Sequence, residues 1–304
     1  MPLPNSARAA LSEAGVTVVD DAPLARKTWW RVGGPADGYA DVGRLDALRR
    51  VMALAGDGLP VFVMGNASNL LVSDRGIRGL VIRLVDELAA VSAEGEPPTL
   101  TVGGGAKLMT LVGRAGREGW TGLEALAGVP GTLGGAIRMN AGTRLGEISD
   151  VVRDVRVVLP GGDLRDLPRD ELGFAYRTSV LPEGAVVASA RLLTSGGDAA
   201  ESREKVAEHL EYRARTQPVD LPTCGSTFRN PPGDSAGRLI EAAGLKGLRI
   251  GGAEVSPKHA NFVANMGGAT AADIDAVIRE IQRRVWESAG IELHPEVHRA
   301  GEWP

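Results

Sequence analysis

The sequence predicts an α+β protein of two domains. Three observations carry this. At 304 residues the chain is long enough for a substantial core and for more than one domain. Short apolar runs bounded by glycine, proline or charge recur through its first two thirds and read as strands. A polar stretch at 195–202 then separates them from a region of helical composition. In order, residues 7–14 read as a short helix stopped at Gly15, and 16–19 as a strand. Further strands are expected at 61–64, 80–84 and 99–102. Residues 107–118 fit a helix with Leu108, Leu111, Val112 and Ala115 on one stripe, and Gly119 is placed to end it. Residues 151–159, the turn Pro160-Gly161-Gly162 and 163–167 read as a hairpin, followed by a strand at 185–193. The charged segment 201–215 reads as helix. So does 234–243, with Asp234 as its cap and Gly244 past its end. The clearest helix spans 271–289. Thr270 and Asp273 form its capping pair, Ile274, Val277, Ile278, Ile281 and Val285 its apolar face, and Gly290 its stop. A last strand is expected at 291–297.

Composition narrows the class of function. Hydrophobic residues make up 43% and charged residues 24%, as in an ordinary soluble protein. The net charge of -4 and pI near 5.7 argue against a nucleic-acid surface. No apolar run reaches the roughly 18 residues that suggest a membrane span, so no membrane insertion is expected. Cys224 is the single cysteine, which rules out an intrachain disulfide or a cysteine-based metal cluster. The opening MPLPNSARAALSEAG lacks the apolar core of a signal peptide. These features fit a cytoplasmic protein.

The most informative segment is GLEALAGVPGTLGGAIRMNAG at 122–142. Six of its 21 residues are glycine, and only Glu124 and Arg138 are charged. Glycine admits positive φ and close approach to the main chain, so successive amides can converge on an anion as a nest for phosphate. A packed turn between core elements is the other reading. A second block, VMGNASNLLVSD at 63–74, runs from a short strand into small hydrogen-bonding residues, as suits a ligand at a strand end. Neither block matches G-x-G-x-x-G opening a helix or G-x-x-x-x-G-K-[ST], so neither a standard Rossmann site nor a P-loop is supported. Two glycine-rich loops around a phosphate-bearing cofactor fit better.

Four further constellations carry candidate chemistry. In FAYRTS at 174–179, Arg177 is either a surface arginine or a forked grip on a carboxylate or phosphate. In CGSTFRNP at 224–231, Ser226 lacks a neighbouring base for nucleophilic work, whereas proton donation needs only placement; Cys224 reads as a buried thiol. In IELHPEVH at 291–298, a strand would put His294, Glu296 and His298 on one face, either as a metal site or as a half-buried strand with one functional carboxylate; Pro295 favours an edge. The segment GGAEVSPKHANF at 251–262 offers Lys258 and His259 within a turn.

Taken together, these blocks resemble the UDP-N-acetylenolpyruvoylglucosamine reductases, the flavoenzyme family commonly called MurB. The matching pieces occur in family order from about Thr28 to Glu302: TWWRVGGPAD, GNASNLLVSDRGIRGLVI, GLEALAGVPGTLGGAIRMNAG, GEISDVV, FAYRTS, CGSTFRNP, LKGLRIGGAEVSPKHANFVAN and HPEV. The resemblance implies an FAD-binding fold of the vanillyl-alcohol-oxidase and p-cresol-methylhydroxylase (PCMH) type over 1–200, with subdomains at about 20–88 and 89–197. An α+β substrate-binding domain would follow over 201–304, its last strand reaching the active site. It implies that Gly65, Asn66, Ala67, Ser68 and Asn69, with Gly128, Pro130, Gly131, Thr132, Gly134, Gly135, Asn140 and Gly142, hold FAD. It further implies NADPH as reductant, a UDP-sugar as substrate, a monomer and no metal. The reaction implied is reduction of an enolpyruvyl ether to a lactyl ether. Arg177 would bind the substrate carboxylate, Ser226 would protonate the enolate carbon and Glu296 would help to stabilise the intermediate. Asn230 and Lys246 match positions that contact the nucleotide, while Gln217 falls where some relatives carry a lysine. FAYRTS leads through Pro182 directly to the strand at 185–193, so the chain resembles the shorter subtype that lacks a tyrosine-bearing insertion. Another FAD oxidoreductase of the same domain family and a non-catalytic nucleotide-sugar binding protein are the alternatives.

Overall fold

The computed structural model describes residues 3–303. The chain divides into two compact units, and the division is not the consecutive one expected at about residue 200. The first unit holds the chain up to Asp20 with 37–66 and 79–211; the second holds 21–36, 67–78 and everything from Tyr212 onward. Pieces of the first 80 residues thus belong with the C-terminal region.

Seven helices are named here. They are α1 (Asn5–Glu13), α2 (Leu45–Gly56), α3 (Leu108–Glu118), α4 (Leu133–Met139), α5 (Ala199–Thr216), α6 (Ala236–Ala242) and α7 (Ala271–Ala289). In the first unit a five-stranded antiparallel sheet has the order Leu164–Pro168, Val152–Val158, Val186–Leu193, Thr99–Gly103, Val91–Glu94. The expected hairpin at 151–167 is present, with Val158 opposite Leu164. Leu108, Leu111 and Val112 of α3 and Leu133 and Ile137 of α4 join Leu100, Val102, Val155 and Val157 of this sheet in one buried cluster. The predicted stripe of α3 is therefore the face that is buried. Gly119 ends it in the left-handed region at φ 75, where a side chain would be strained. A second cluster joins Leu11 of α1 and Leu48, Val51 and Met52 of α2 to Leu80 and Ile82. Leu80 and Ile82 lie on the strand Ile77–Leu84, which pairs in parallel with Val61–Val63.

In the second unit, Ala253–Val255 pairs antiparallel with Val263–Asn265. Trp30, Phe228, Leu239, Ile240 and the apolar face of α7 close the core around them. The cap of α7 is as read: the Thr270 and Asp273 side chains and amides exchange bonds, and Gly290 follows at φ 66. Asp74 adds a second anchor, its carboxylate accepting from the Ala271 and Ala272 amides at 2.9 and 3.0 Å.

Three expectations are corrected. The strand near 16–19 runs from Val19 to Pro23, because Gly15 at φ 72 and the Val16 amide, which donates to the Leu11 carbonyl, still belong to the end of α1. Helix α6 is capped by the Ser235 hydroxyl, which accepts the Arg238 amide, while the Asp234 carboxylate turns to the Arg238 side chain and the Ser235 amide. The strand expected at 291–297 forms only at His298–Ala300, which lies parallel to Leu70–Val72; Pro295 has no N–H for a ladder.

Candidate active site

The glycine segment folds around α4, a helix that its glycines had hidden. Thr132 precedes it in extended geometry, and Asn140 ends it in the left-handed region at φ 41. The Leu133 and Gly134 amides donate to the carbonyls of Ala106 and Gly104, fixing the start of α4 on the loop that precedes α3. Gly65 backs onto the same place. A Cβ there would lie 2.5 Å from the Thr132 hydroxyl, and the Asn66 side-chain amide donates to the Pro130 carbonyl at 2.9 Å. The structure therefore brings the head of one glycine-rich loop against the middle of the other within the first unit. Among the described residues, the amides of Asn66, Gly131, Thr132 and Gly135 donate to no acceptor. Main-chain donors left open where two glycine-rich loops meet suit the pyrophosphate of a dinucleotide. These residues fit FAD.

Other expected cofactor residues serve the fold. The two donors of Asn140 are spent on Glu147 Oε2 at 2.6 Å and the Ala175 carbonyl at 3.1 Å, and its oxygen accepts the Ser149 amide at 3.2 Å. Asn140 is buried with its side chain engaged throughout, which leaves only main chain to offer a ligand. Gly142 is required by packing, since a Cβ would lie 2.2 Å from the Gly146 carbonyl oxygen. The Gly128 amide points to the Met109 sulfur at 3.0 Å. In the second unit, Ala67 stands at φ 47. The Asn69 side chain donates to the Glu296 carbonyl at 3.0 Å.

Arg177 sits in the first unit on a tight turn closed by two bonds of 3.1 Å between Ala175 and Thr178. Its φ of 56 is in the left-handed region, a strained place for a residue with a Cβ. Its guanidinium reaches the Asn140 and Gly142 carbonyls at 3.5 and 3.3 Å and Glu147 Oε1 at 3.4 Å, and stacks 4.9 Å from the Tyr176 ring. It is a largely buried cation held by one carboxylate and two main-chain carbonyls, not a loose surface arginine.

Ser226 and Glu296 come together in the second unit. The Glu296 amide donates to the Thr227 carbonyl at 2.8 Å and the Arg229 amide to the His294 carbonyl at 3.0 Å, so 226–229 lies beside 294–296. Gly225, at φ 71, allows the bend before Ser226. Asn261, which sequence reading passed over, clamps this segment. Its side chain accepts the Phe228 amide and donates to the Phe228 carbonyl, both at 2.9 Å, and its own carbonyl accepts the Thr227 amide. The signal was available: a lone asparagine inside the buried run Ala260-Asn261-Phe262-Val263 needs partners for every polar atom. Burial pushes the Cys224 thiol up to about 12, so it is no nucleophile. Of the expected nucleotide contacts, Asn230 accepts the Ala236 amide at the start of α6, and Lys246 pairs with Glu241 at 2.7 Å. Lys258 donates to the Ala214 carbonyl at 2.6 Å. The premise that His294, Glu296 and His298 share one strand fails, since only His298 is in the strand and His294 is exposed.

These loops and this sheet define a flavin-binding protein, and the comparisons agree. A family model described as FAD binding domain matches residues 36–168. Berberine bridge enzyme is similar in fold alone, at a TM-score of 0.51 and 13% identity over 71% of this chain and 51% of that one. More specifically, the model for the UDP-N-acetylenolpyruvoylglucosamine reductase C-terminal domain matches 217–300. The reductase of that name from Anaeromyxobacter dehalogenans (strain 2CP-C) is 50% identical over 93% of this chain and 86% of its own length. The crystal structure of the Thermus caldophilus enzyme superposes with a TM-score of 0.82 at 40% identity, covering 94% of this chain and 98% of that one. The chain belongs to the UDP-N-acetylenolpyruvoylglucosamine reductase family.

Proposed function

We propose that the protein uses NADPH to reduce the enolpyruvyl ether of UDP-N-acetylglucosamine to UDP-N-acetylmuramate, a step toward peptidoglycan, acting in the cytoplasm as a monomer. The observation that carries the reading is 50% identity over 93% of the chain to a protein bearing the reductase name. The chemistry supplied by bound FAD is hydride relay, from NADPH and then to the methylene carbon of the enolpyruvyl group. The residues of this chain do the rest. Arg177, cationic and largely buried, pairs with the substrate carboxylate as negative charge spreads onto it. Ser226 holds a proton on Oγ and gives it to the α-carbon, which completes the lactyl ether. Proton donation by serine needs placement and no adjacent base. Glu296, on the segment beside Ser226, steadies the intermediate through a proton or a water.

The test separates the two half-reactions by stopped flow. Purified protein is expected to be yellow, to oxidise NADPH and to be reoxidised by the enolpyruvyl nucleotide. Ser226→Ala should keep flavin reduction and slow reoxidation by roughly 10²-fold or more, the scale of general acid catalysis. An equal loss in both halves removes Ser226 from the role. A colourless protein that FAD does not reconstitute removes the reading.

A further inference from the structure

We propose that Glu147 is a positioning residue for Arg177, acting through a shared frame with Asn140. The inference rests on the reading of Arg177 as the carboxylate-binding group, and it goes beyond that reading in naming what aims the guanidinium. The strained turn cannot do so alone. Bonds between Ala175 and Thr178 fix its main chain, but several rotatable bonds separate Cα from the charge. The head group is aimed by what surrounds it, and Glu147 is the anion there, with Oε1 3.4 Å from Arg177 Nη1.

Glu147 is itself held from more than one side. Its Oε2 accepts Asn140 Nδ2 at 2.6 Å. Its side chain also accepts the Asp150 amide, and its own amide donates to Asp150 Oδ2 at 2.8 Å, a capping box on the short helix Ile148–Asp150. Asn140 in turn binds the Ala175 carbonyl at 3.1 Å, which ties this frame to the turn that carries Arg177. Glu147, Asn140, Ala175 and Arg177 thus form one closed circuit of side chains and main chain.

Two properties of the circuit decide what Glu147 does. First, both carboxylate oxygens accept, from different donors, so an amide in place of the carboxylate would turn an N–H toward another N–H. Second, the contacts of Arg177 to Glu147, Asn140 and Gly142 span 3.3–3.5 Å, longer than the 2.7–2.9 Å of tight charge-assisted bonds. Glu147 orients the guanidinium without tying it down, so that an incoming carboxylate can draw it closer.

The experiment compares wild type, Glu147→Gln, Glu147→Ala, Arg177→Ala and the Glu147→Gln/Arg177→Ala double variant as FAD-loaded full-length proteins. Glu147→Gln is expected to slow flavin reoxidation by the enolpyruvyl nucleotide, or raise its KM, by about ten- to a hundredfold, the range of one hydrogen bond to a charged group. Reduction by NADPH should stay within about twofold of wild type. In the Arg177→Ala background the same change should have no further effect, because its route to the substrate is gone. A structural role would instead slow both half-reactions or add to Arg177→Ala, and either result overturns the proposal. NMR of the arginine side-chain N–H groups supplies a readout independent of turnover. The Arg177 resonances should be protected from exchange in wild type and lose that protection in Glu147→Gln and Glu147→Ala. Unchanged protection refutes the positioning role even if the enolpyruvyl nucleotide proves not to be the substrate. An unreactive wild type with the expected NMR change refutes only the substrate.

Discussion

The turn at Arg177 and the segment at Ser226 hold their reactive groups by opposite means. Arg177 stands on strained main chain, and its charged head is aimed from elsewhere in the first unit by the Glu147 carboxylate, itself held by Asn140, and by the Asn140 and Gly142 carbonyls. Ser226 stands on a segment whose main chain is bonded on both sides, to 294–296 and to Asn261, and which carries the buried ring of Phe228. The difference follows from chemistry. A long cation has many rotamers and needs polar partners to select one, whereas a hydroxyl one bond from the Cβ goes where its backbone goes. The first region should therefore be sensitive to charge and the second to packing.

The largest expected effect falls on packing. Phe228→Ala removes a ring that is 1% exposed and should cost about 3–5 kcal/mol of stability, read from the denaturant midpoint. In whatever remains folded, it should disturb reoxidation more than flavin reduction. Loss of stability with both half-reactions unchanged would break the claim that packing sets Ser226. Next, Arg177→Ala should cost the oxidative half-reaction ~2.7–4 kcal/mol, the scale of removing one oxyanion donor, and Arg177→Lys should recover only part because it lacks the fork. Full recovery by lysine would mean that charge alone matters. Asn261→Ala leaves the Phe228 amide and carbonyl without their partner and should lower stability by about 1–3 kcal/mol, again by denaturant titration. The smallest effect is at Cys224, whose thiol burial raises from 9.0 to about 12. Below about pH 9 the thiol is protonated in folded and unfolded chains alike, and its contribution is full. As pH rises toward 12 the unfolded chain loses its proton first, so stability falls. Cys224→Ala should flatten that decline, and iodoacetamide should label the native wild type slowly at pH 8.

What was legible in the sequence was whatever local chemistry decides. The caps and face of α7 were readable because Thr270, Asp273 and Gly290 act within a few residues of themselves. The stripe of α3 was readable for the same reason. Helix α4 was not, because Gly134 and Gly135 argue against helix locally, and its start is fixed by carbonyls of Gly104 and Ala106 some 30 residues earlier. The strand at His298–Ala300 depends on a partner near Leu70 and leaves no periodic signal of its own. The candidate site divides the same way. Motif residues Arg177, Ser226 and Glu296 stood out in the chain. Glu147 and Asn261, which hold these two regions in place, reach them through contacts 30 or more residues away, Glu147 to Arg177 and Asn261 to Phe228. Asn140, expected to meet cofactor, has its side chain engaged by Glu147, Ala175 and Ser149, and Asn69 gives one side-chain donor to the Glu296 carbonyl.

The chain passes between its two units five times, after Asp20, Ala36, Asn66, Arg78 and Glu211, and this has a consequence for how the protein is made. Trp30 donates to the Val263 carbonyl across 233 residues, and Asn69 reaches Glu296 across 227. At roughly 5–20 residues per second, a ribosome takes about 10–50 s to supply those partners after the early segments have emerged. Through that interval Trp30, Val32 and Leu71 have no core to enter. The nascent chain thus carries an apolar surface for tens of seconds that the finished protein hides, and it is in this interval, not in the native state, that the chain most needs a chaperone.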